Sequence, residues 1–210
     1  MSQKTNTNAI TGYPVRKDLN MCGRFYIEIE ESELREIAEE VEKTLSAYPE
    51  QITLKMNGEI FPTNTVPVQT GSNRYQPMKW GFTGFDSRPV INARSETVFQ
   101  KPMFRESMGT RRCLIPAGGY YEWQKDGGQK IKHRFFVPGQ SLYLAGCYRK
   151  EQGDNLPRFV ILTRQAINGV AAIHDRMPVI VPKERRERWF HEVSVDFDYE
   201  MGGLVFESVG

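Results

Sequence analysis

The sequence predicts an α+β fold: a single domain with a mostly antiparallel, β-barrel-like core and flanking helices. Three observations carry this expectation. Strand-like apolar runs come in clusters rather than in strict alternation with helices, which argues against a parallel βαβ sheet. Only one segment, residues 31–45, shows a clear helical spacing of apolar positions. The length of 210 residues suits one large α+β domain better than two domains, and 39% hydrophobic with 11% aromatic residues is enough to fill a core. That composition excludes wholesale disorder.

In chain order, residues 1–20 are polar, rich in Asn and Thr, and without apolar periodicity. They read as a disordered leader or an upstream extension of the reading frame, with the folded part, 21–210, starting at Met21. In 31–45, Leu34, Ile37, Ala38, Val41 and Leu45 recur at helical spacing on an acidic background, and Ser32 stands where a cap belongs. Strand-like runs follow at 77–82, 113–117, 134–137, 142–148, 159–163 and 179–181, punctuated by Gly and Pro. The triplet Asp126-Gly127-Gly128 reads as a hairpin turn, and 183–190 after Pro182 as a short basic helix. No internal repeat is present.

Several function classes drop out at once. No apolar run approaches the ~18–20 residues that span a bilayer, so no membrane partner is expected. The first 20 residues hold no apolar stretch of a secretory signal, so a cytoplasmic location is the expectation, nucleoid-associated if the source is bacterial. Cys22, Cys113 and Cys147 are odd in number and far apart, and His133, His174 and His191 lie at no metal-ligand spacing. Neither a disulfide framework nor a zinc site is expected, and no cofactor. The net charge of +2 divides unevenly: +3 over 1–27, −7 over 28–50, +11 over 51–190 and −5 over 191–210. A basic body in which Arg outnumbers Lys suits a phosphate-bearing partner. The acidic 31–45 helix would repel phosphate and is expected to face away from it.

The first feature that packing does not explain is Met21-Cys22-Gly23-Arg24-Phe25. A Cys directly after Met becomes N-terminal when the Met is removed, and then carries two nucleophiles. Its α-amine has a reference pKa near 7.7–8.0, so a neutral fraction exists at pH 7, and a thiol lies beside it. An aldehyde meeting that pair forms a Schiff base and then a five-membered thiazolidine. The plainer reading is a small buried hydrophobe at the start of a strand. Three further runs join it: Ile91-Asn92-Ala93-Arg94-Ser95-Glu96-Thr97, Ile115-Pro116-Ala117-Gly118-Gly119-Tyr120-Tyr121-Glu122-Trp123, and Ile173-His174-Asp175-Arg176-Met177-Pro178. Singly, Asn92 also fits a helix cap, Glu122 a solvated strand position and His174 a satisfied core histidine.

Together and in this order, the four runs closely resemble the SOS-response-associated peptidase family, also known as abasic-site processing proteins, over roughly residues 21–190. The resemblance implies a β-barrel-like α+β fold and a cleft for single-stranded DNA containing an abasic site. It further implies that Cys22 is the N-terminal nucleophile forming the thiazolidine, with Asn92, Glu122 as acid/base and His174 completing the catalytic set. By the same resemblance, Arg24 and Arg94 hold phosphates, and Trp80 and Trp123 line the DNA cleft. The leader departs from the family pattern: with Met1 as the start, the Cys22 amine is locked in a peptide bond. Translation from Met21, or self-cleavage between Met21 and Cys22, would release it. Two other readings stand beside this one, a general cysteine peptidase using Cys22 and His174, and a non-catalytic single-stranded DNA binding module.

Overall fold

The computed structural model describes residues 22–28, 32–48, 51–192, 195–199 and 201–209. The leader expected over 1–20 lies outside them. In chain order the described elements are β1 (Phe25–Ile27), α1 (Ser32–Thr44), β2 (Gly58–Ile60), β3 (Thr65–Gly71), β4 (Arg74–Trp80), β5 (Phe82–Thr83), β6 (Pro89–Val90), β7 (Asn92–Arg94), α2 (Pro102–Thr110), β8 (Arg112–Ala117), β9 (Gly119–Asp126), β10 (Gln129–Phe136), β11 (Leu142–Arg149), β12 (Arg158–Gln165), β13 (Arg176–Pro178), α3 (Arg186–His191) and β14 (Val205–Val209).

The unbroken apolar runs become the walls of a barrel. Strands pair in the order β11-β8-β3-β4-β12, and β12 pairs back onto β11, so the sheet closes on itself. Both faces of these strands are covered, by the barrel interior on one side and by helices or loops on the other. Val160, Ile161 and Leu162 in β12, and Leu144 and Ala145 in β11, are therefore all buried in succession, without polar alternation. α1 lays Leu34, Ile37, Ala38 and Val41 against β3 and β4, as its spacing predicts, and finishes in a 3-10 turn, Leu45–Ala47.

A second sheet, in the order β14-β10-β9-β1-β2, stands against the barrel. Its centre is the β9–β10 hairpin, turned by Gly127 and Gly128 at φ 53° and 89°, the left-handed region that the predicted Asp-Gly-Gly turn requires. β9 alternates: Tyr120 and Glu122 are buried, Tyr121 and Trp123 half-buried on the other face. Gly119 begins the strand because a Cβ there would collide with the Phe135 carbonyl and the Tyr26 hydroxyl. That close approach draws β1, β9 and β10 together at the point where Cys22 enters the fold.

The structure shifts or adds some elements. The 77–82 run breaks at Gly81 into β4 and β5, and the 179–181 run is displaced: the strand is β13, followed by a lone bridge from Ile180 to Leu144. α2 did not stand out because its nine residues bury only Phe104, Ser107 and Met108, too short a stripe to define a period. β3 is masked in sequence by its Pro67 and Gln69, and β14 by an exposed, polar-interrupted pattern.

Candidate active site

Cys22 adopts φ 42°, unusual for a side-chain-bearing residue. Its backbone N–H donates to Glu122 Oε1 at 2.8 Å, and its carbonyl accepts from Asn92 Nδ2 at 3.5 Å. The thiol is enclosed, with Cys22 only 2% exposed. Burial, and then the neighbouring Glu122 charge, push that thiol well above its ordinary pKa, so it rests protonated.

Glu122 is wholly buried on the inward face of β9. Burial raises its carboxyl to about 8; hydrogen bonds from the Cys22 N–H and thiol pull the other way, and the Asp175 charge adds to the rise. Its second oxygen, Oε2, accepts no hydrogen bond among the described residues and faces His174 Nε2 at 4.0 Å. His174 is partly exposed and so links the buried carboxyl to solvent. The Arg176 N–H donates to His174 Nδ1 at 3.1 Å, which leaves the proton of the neutral ring on Nε2, toward Glu122. When the ring is protonated, Asp175 Oδ1, 3.1 Å from Nδ1, is placed to accept.

The loop that presents His174 is pinned from behind. Arg176 donates to both oxygens of Glu96, at 2.5 and 2.9 Å, and to the Thr163 carbonyl on β12 at 2.7 Å. Those Arg176 hydrogen bonds hold the Glu96 carboxyl down at about 2. Sequence reasoning quoted Arg176 within the third run but gave it no role; its place two residues after His174 was the available signal. Asn92 arrives on β7, which runs parallel to β12 with Asn92 opposite Ile161. Arg94, two residues on and exposed, leaves β7 on the same face as Asn92.

On the outward side, the Arg24 guanidinium lies 3.6 Å from the Phe61 ring centroid and 5.7 Å from that of Trp123, and pairs with Glu59 at 2.8 Å. Lys132 also pairs with Glu59 and stands 4.0 Å from the Tyr121 ring. Phe61, Tyr121 and Lys132 thus extend a basic, aromatic surface that the sequence reading populated only with Arg24 and Trp123. Cations beside exposed π-faces are what a single-stranded nucleic acid engages without sequence preference.

The structure therefore brings Cys22, Asn92, Glu122 and His174 to one place, sets Arg94 beside Asn92, and puts Arg24 with Trp123. Trp80 requires a correction. It was expected to line the DNA cleft, yet it is 0% exposed, stacked on Phe159 at 6.3 Å and 5.1 Å from Phe25, with Nε1 donating to the Ile91 carbonyl at 3.0 Å. On β4 its side chain points into the barrel with Met78, and no nucleotide reaches it. Trp80→Ala is expected to cost about 3–5 kcal/mol of stability, read as a lower denaturant midpoint. A variant of unchanged stability would return Trp80 to the surface.

The arrangement is one of proton traffic: a buried carboxyl ionising near neutrality touches both a nitrogen and a thiol, with an imidazole leading outward. Against known proteins, residues 21–204 match the family model described as SOS response associated peptidase (SRAP). The chain is 34% identical over 162 residues to the abasic site processing protein YobE of Bacillus subtilis, covering 68% of this chain and 74% of that protein. It is 31% identical over 183 residues to YedK of Escherichia coli, also named an abasic site processing protein, covering 82% and 80%. Two solved structures share the fold. A protein from Bacteroides thetaiotaomicron has a TM-score of 0.70 at 23% identity, covering 90% of this chain and 92% of that one. A protein from Bordetella bronchiseptica has a TM-score of 0.71 at 20% identity, covering 90% and 100%.

Proposed function

Since this chain belongs to the SOS response associated peptidase family, we propose that it processes abasic sites in single-stranded DNA by closing a thiazolidine between Cys22 and the ring-opened sugar aldehyde. The observation that carries the reading is the 2.8 Å contact between the Cys22 nitrogen and Glu122. The atom that would attack the aldehyde already touches a carboxyl whose affinity for a proton lies near neutrality.

The chemistry follows from that contact. The amine lone pair adds to the aldehyde carbon, and a proton passes from nitrogen to oxygen to give a carbinolamine. Protonated Glu122 then supplies a proton to the departing oxygen, so that water leaves and an iminium remains. The Glu122 carboxylate next takes the proton of the Cys22 thiol, and sulfur adds to the iminium carbon. The π pair returns to nitrogen, leaving Glu122 protonated as it began. His174 carries protons between this enclosure and solvent, and Asn92 fixes the Cys22 carbonyl so that nitrogen and sulfur keep their places. Arginine contacts to phosphate would set register without reading sequence.

The reading needs a free α-amine, hence a chain opened between Met21 and Cys22 or begun there. A general cysteine peptidase fits less well, because such an enzyme needs an accessible thiolate and this thiol is buried with its ionisation suppressed. The test is to mix abasic and intact oligonucleotides with full-length protein and with protein starting at Cys22, then to run a denaturing gel and measure intact mass. A heat-stable adduct is expected only with abasic DNA and only on chains that begin at Cys22. An adduct on chains still carrying Met1 would remove the amine from the mechanism.

Arg24→Ala is expected to weaken binding of any intact single strand about equally and to flatten the salt dependence by roughly one phosphate, a slope change near 0.7. Loss confined to particular sequences would mean base readout instead.

A further inference from the structure

Beyond the four residues already placed at the site, one buried polar group faces the same enclosure. Tyr120 stands two residues before Glu122 on β9, on the same inward face, opposite Phe25 of β1 and Phe135 of β10. Its ring stacks on Phe135 with centroids 4.9 Å apart and planes 9° from parallel. The residue is 0% exposed, and its hydroxyl makes no hydrogen bond among the described residues. Glu122 Oε2 is left in the same condition on the same face of the strand.

An unpaired buried hydroxyl is costly, and the stack on Phe135 would be served equally by a phenyl ring. The oxygen therefore calls for an explanation outside packing. Burial pushes Tyr120 ionisation well up, and the charges of Cys22 and then Glu122 push it further, so the group stays a neutral O–H donor at any accessible pH. The polar groups facing the Cys22 thiol and amide are Glu122 and Tyr120 from β9 and Asn92 from β7, with His174 and Asp175 behind Glu122. Glu122 approaches as an acceptor, whereas Tyr120 can only donate without giving up its proton.

We propose that the Tyr120 hydroxyl is a hydrogen-bond donor to the Cys22 sulfur during ring closure, stabilising the negative charge that sulfur takes on when Glu122 removes its proton. This rests on the thiazolidine reading and deepens it by separating the two halves of the reaction. Amine attack and loss of water do not load charge on sulfur; closure does. A donor aimed at developing charge in a water-poor site is the arrangement that lowers such a barrier.

The experiment uses Tyr120→Phe in protein that begins at Cys22, which keeps the ring stack and removes only the oxygen. Borohydride-trapped imine is expected to form at the parent rate, while conversion to the heat-stable adduct slows about tenfold or more. Alkylation of the Cys22 thiol by iodoacetamide at pH 8, read on the Cys22 peptide by mass spectrometry, is expected to slow several-fold, with a melting temperature equal to or above the parent. Unchanged closure and unchanged alkylation overturn the proposal, as does equal slowing of imine formation and closure. Parent protein that gives no heat-stable adduct refutes the thiazolidine reading instead. The alkylation arm then judges Tyr120 alone, and unchanged alkylation overturns the donor role.

Discussion

Cys22→Ala, made in protein that begins at residue 22, is expected to form no heat-stable adduct with abasic single-stranded DNA. The substitution keeps an α-amine, whose pKa near 7.7–8.0 leaves a reactive neutral fraction at pH 7. It therefore still condenses with the aldehyde, but the imine stays open to hydrolysis because no sulfur closes on it. The expected record is a faint band without reductant, and a strong band when borohydride reduces the imine. Cys22 is also buried beside Phe25 and Trp80 in the core cluster, so a modest loss of stability accompanies the change. A full yield of adduct from Cys22→Ala without reductant would sink the thiazolidine mechanism.

Glu122→Gln is expected to slow adduct formation by roughly 10²-fold or more, the scale for removing a general acid–base group, with affinity for intact DNA nearly unchanged. The same substitution should act on stability in the opposite direction. In the folded protein burial raises the Glu122 carboxyl from the model value of 4.5 to about 8. Between those values the folded state binds the proton more tightly than the unfolded chain, so the wild type loses stability as pH rises through that window and recovers none above it. Glutamine carries no such penalty. The variant's melting temperature should match the wild type near pH 4.5, exceed it progressively toward pH 8, and keep a constant lead above that. A parallel offset at every pH would mean that Glu122 is not buried as a neutral acid, and unaltered adduct kinetics would remove it from the chemistry.

How much of this was readable in advance depends on the range of the interaction. α1 was legible because Leu34, Ile37, Ala38 and Val41 repeat within one helix. The barrel walls were legible as unbroken apolar runs, and the β9–β10 turn was legible because Gly127 and Gly128 serve a local dihedral requirement. α2 and β3 escaped notice because their stabilisation comes from neighbours far along the chain rather than from their own pattern.

The candidate site divides along the same line. Sequence alone, through the order and content of four short runs, determined the family resemblance, the α+β class and the identities of Cys22, Asn92, Glu122 and His174 as a set. It also determined that any free amine at Cys22 would sit beside a thiol, since both belong to one residue. Only the tertiary structure decided that 100 residues of intervening chain bring the Cys22 nitrogen onto Glu122, or that Arg176 reaches back 80 residues to Glu96 to steady the His174 loop. It alone decided that Trp80 is core while Trp123 is surface. Both are tryptophans on strands, and what separates them is which face of its strand each occupies, a matter of register. The raised carboxyl of Glu122 is likewise invisible in sequence, because desolvation belongs to the enclosure formed by β1, β7, β9 and the His174 loop, not to the residue itself.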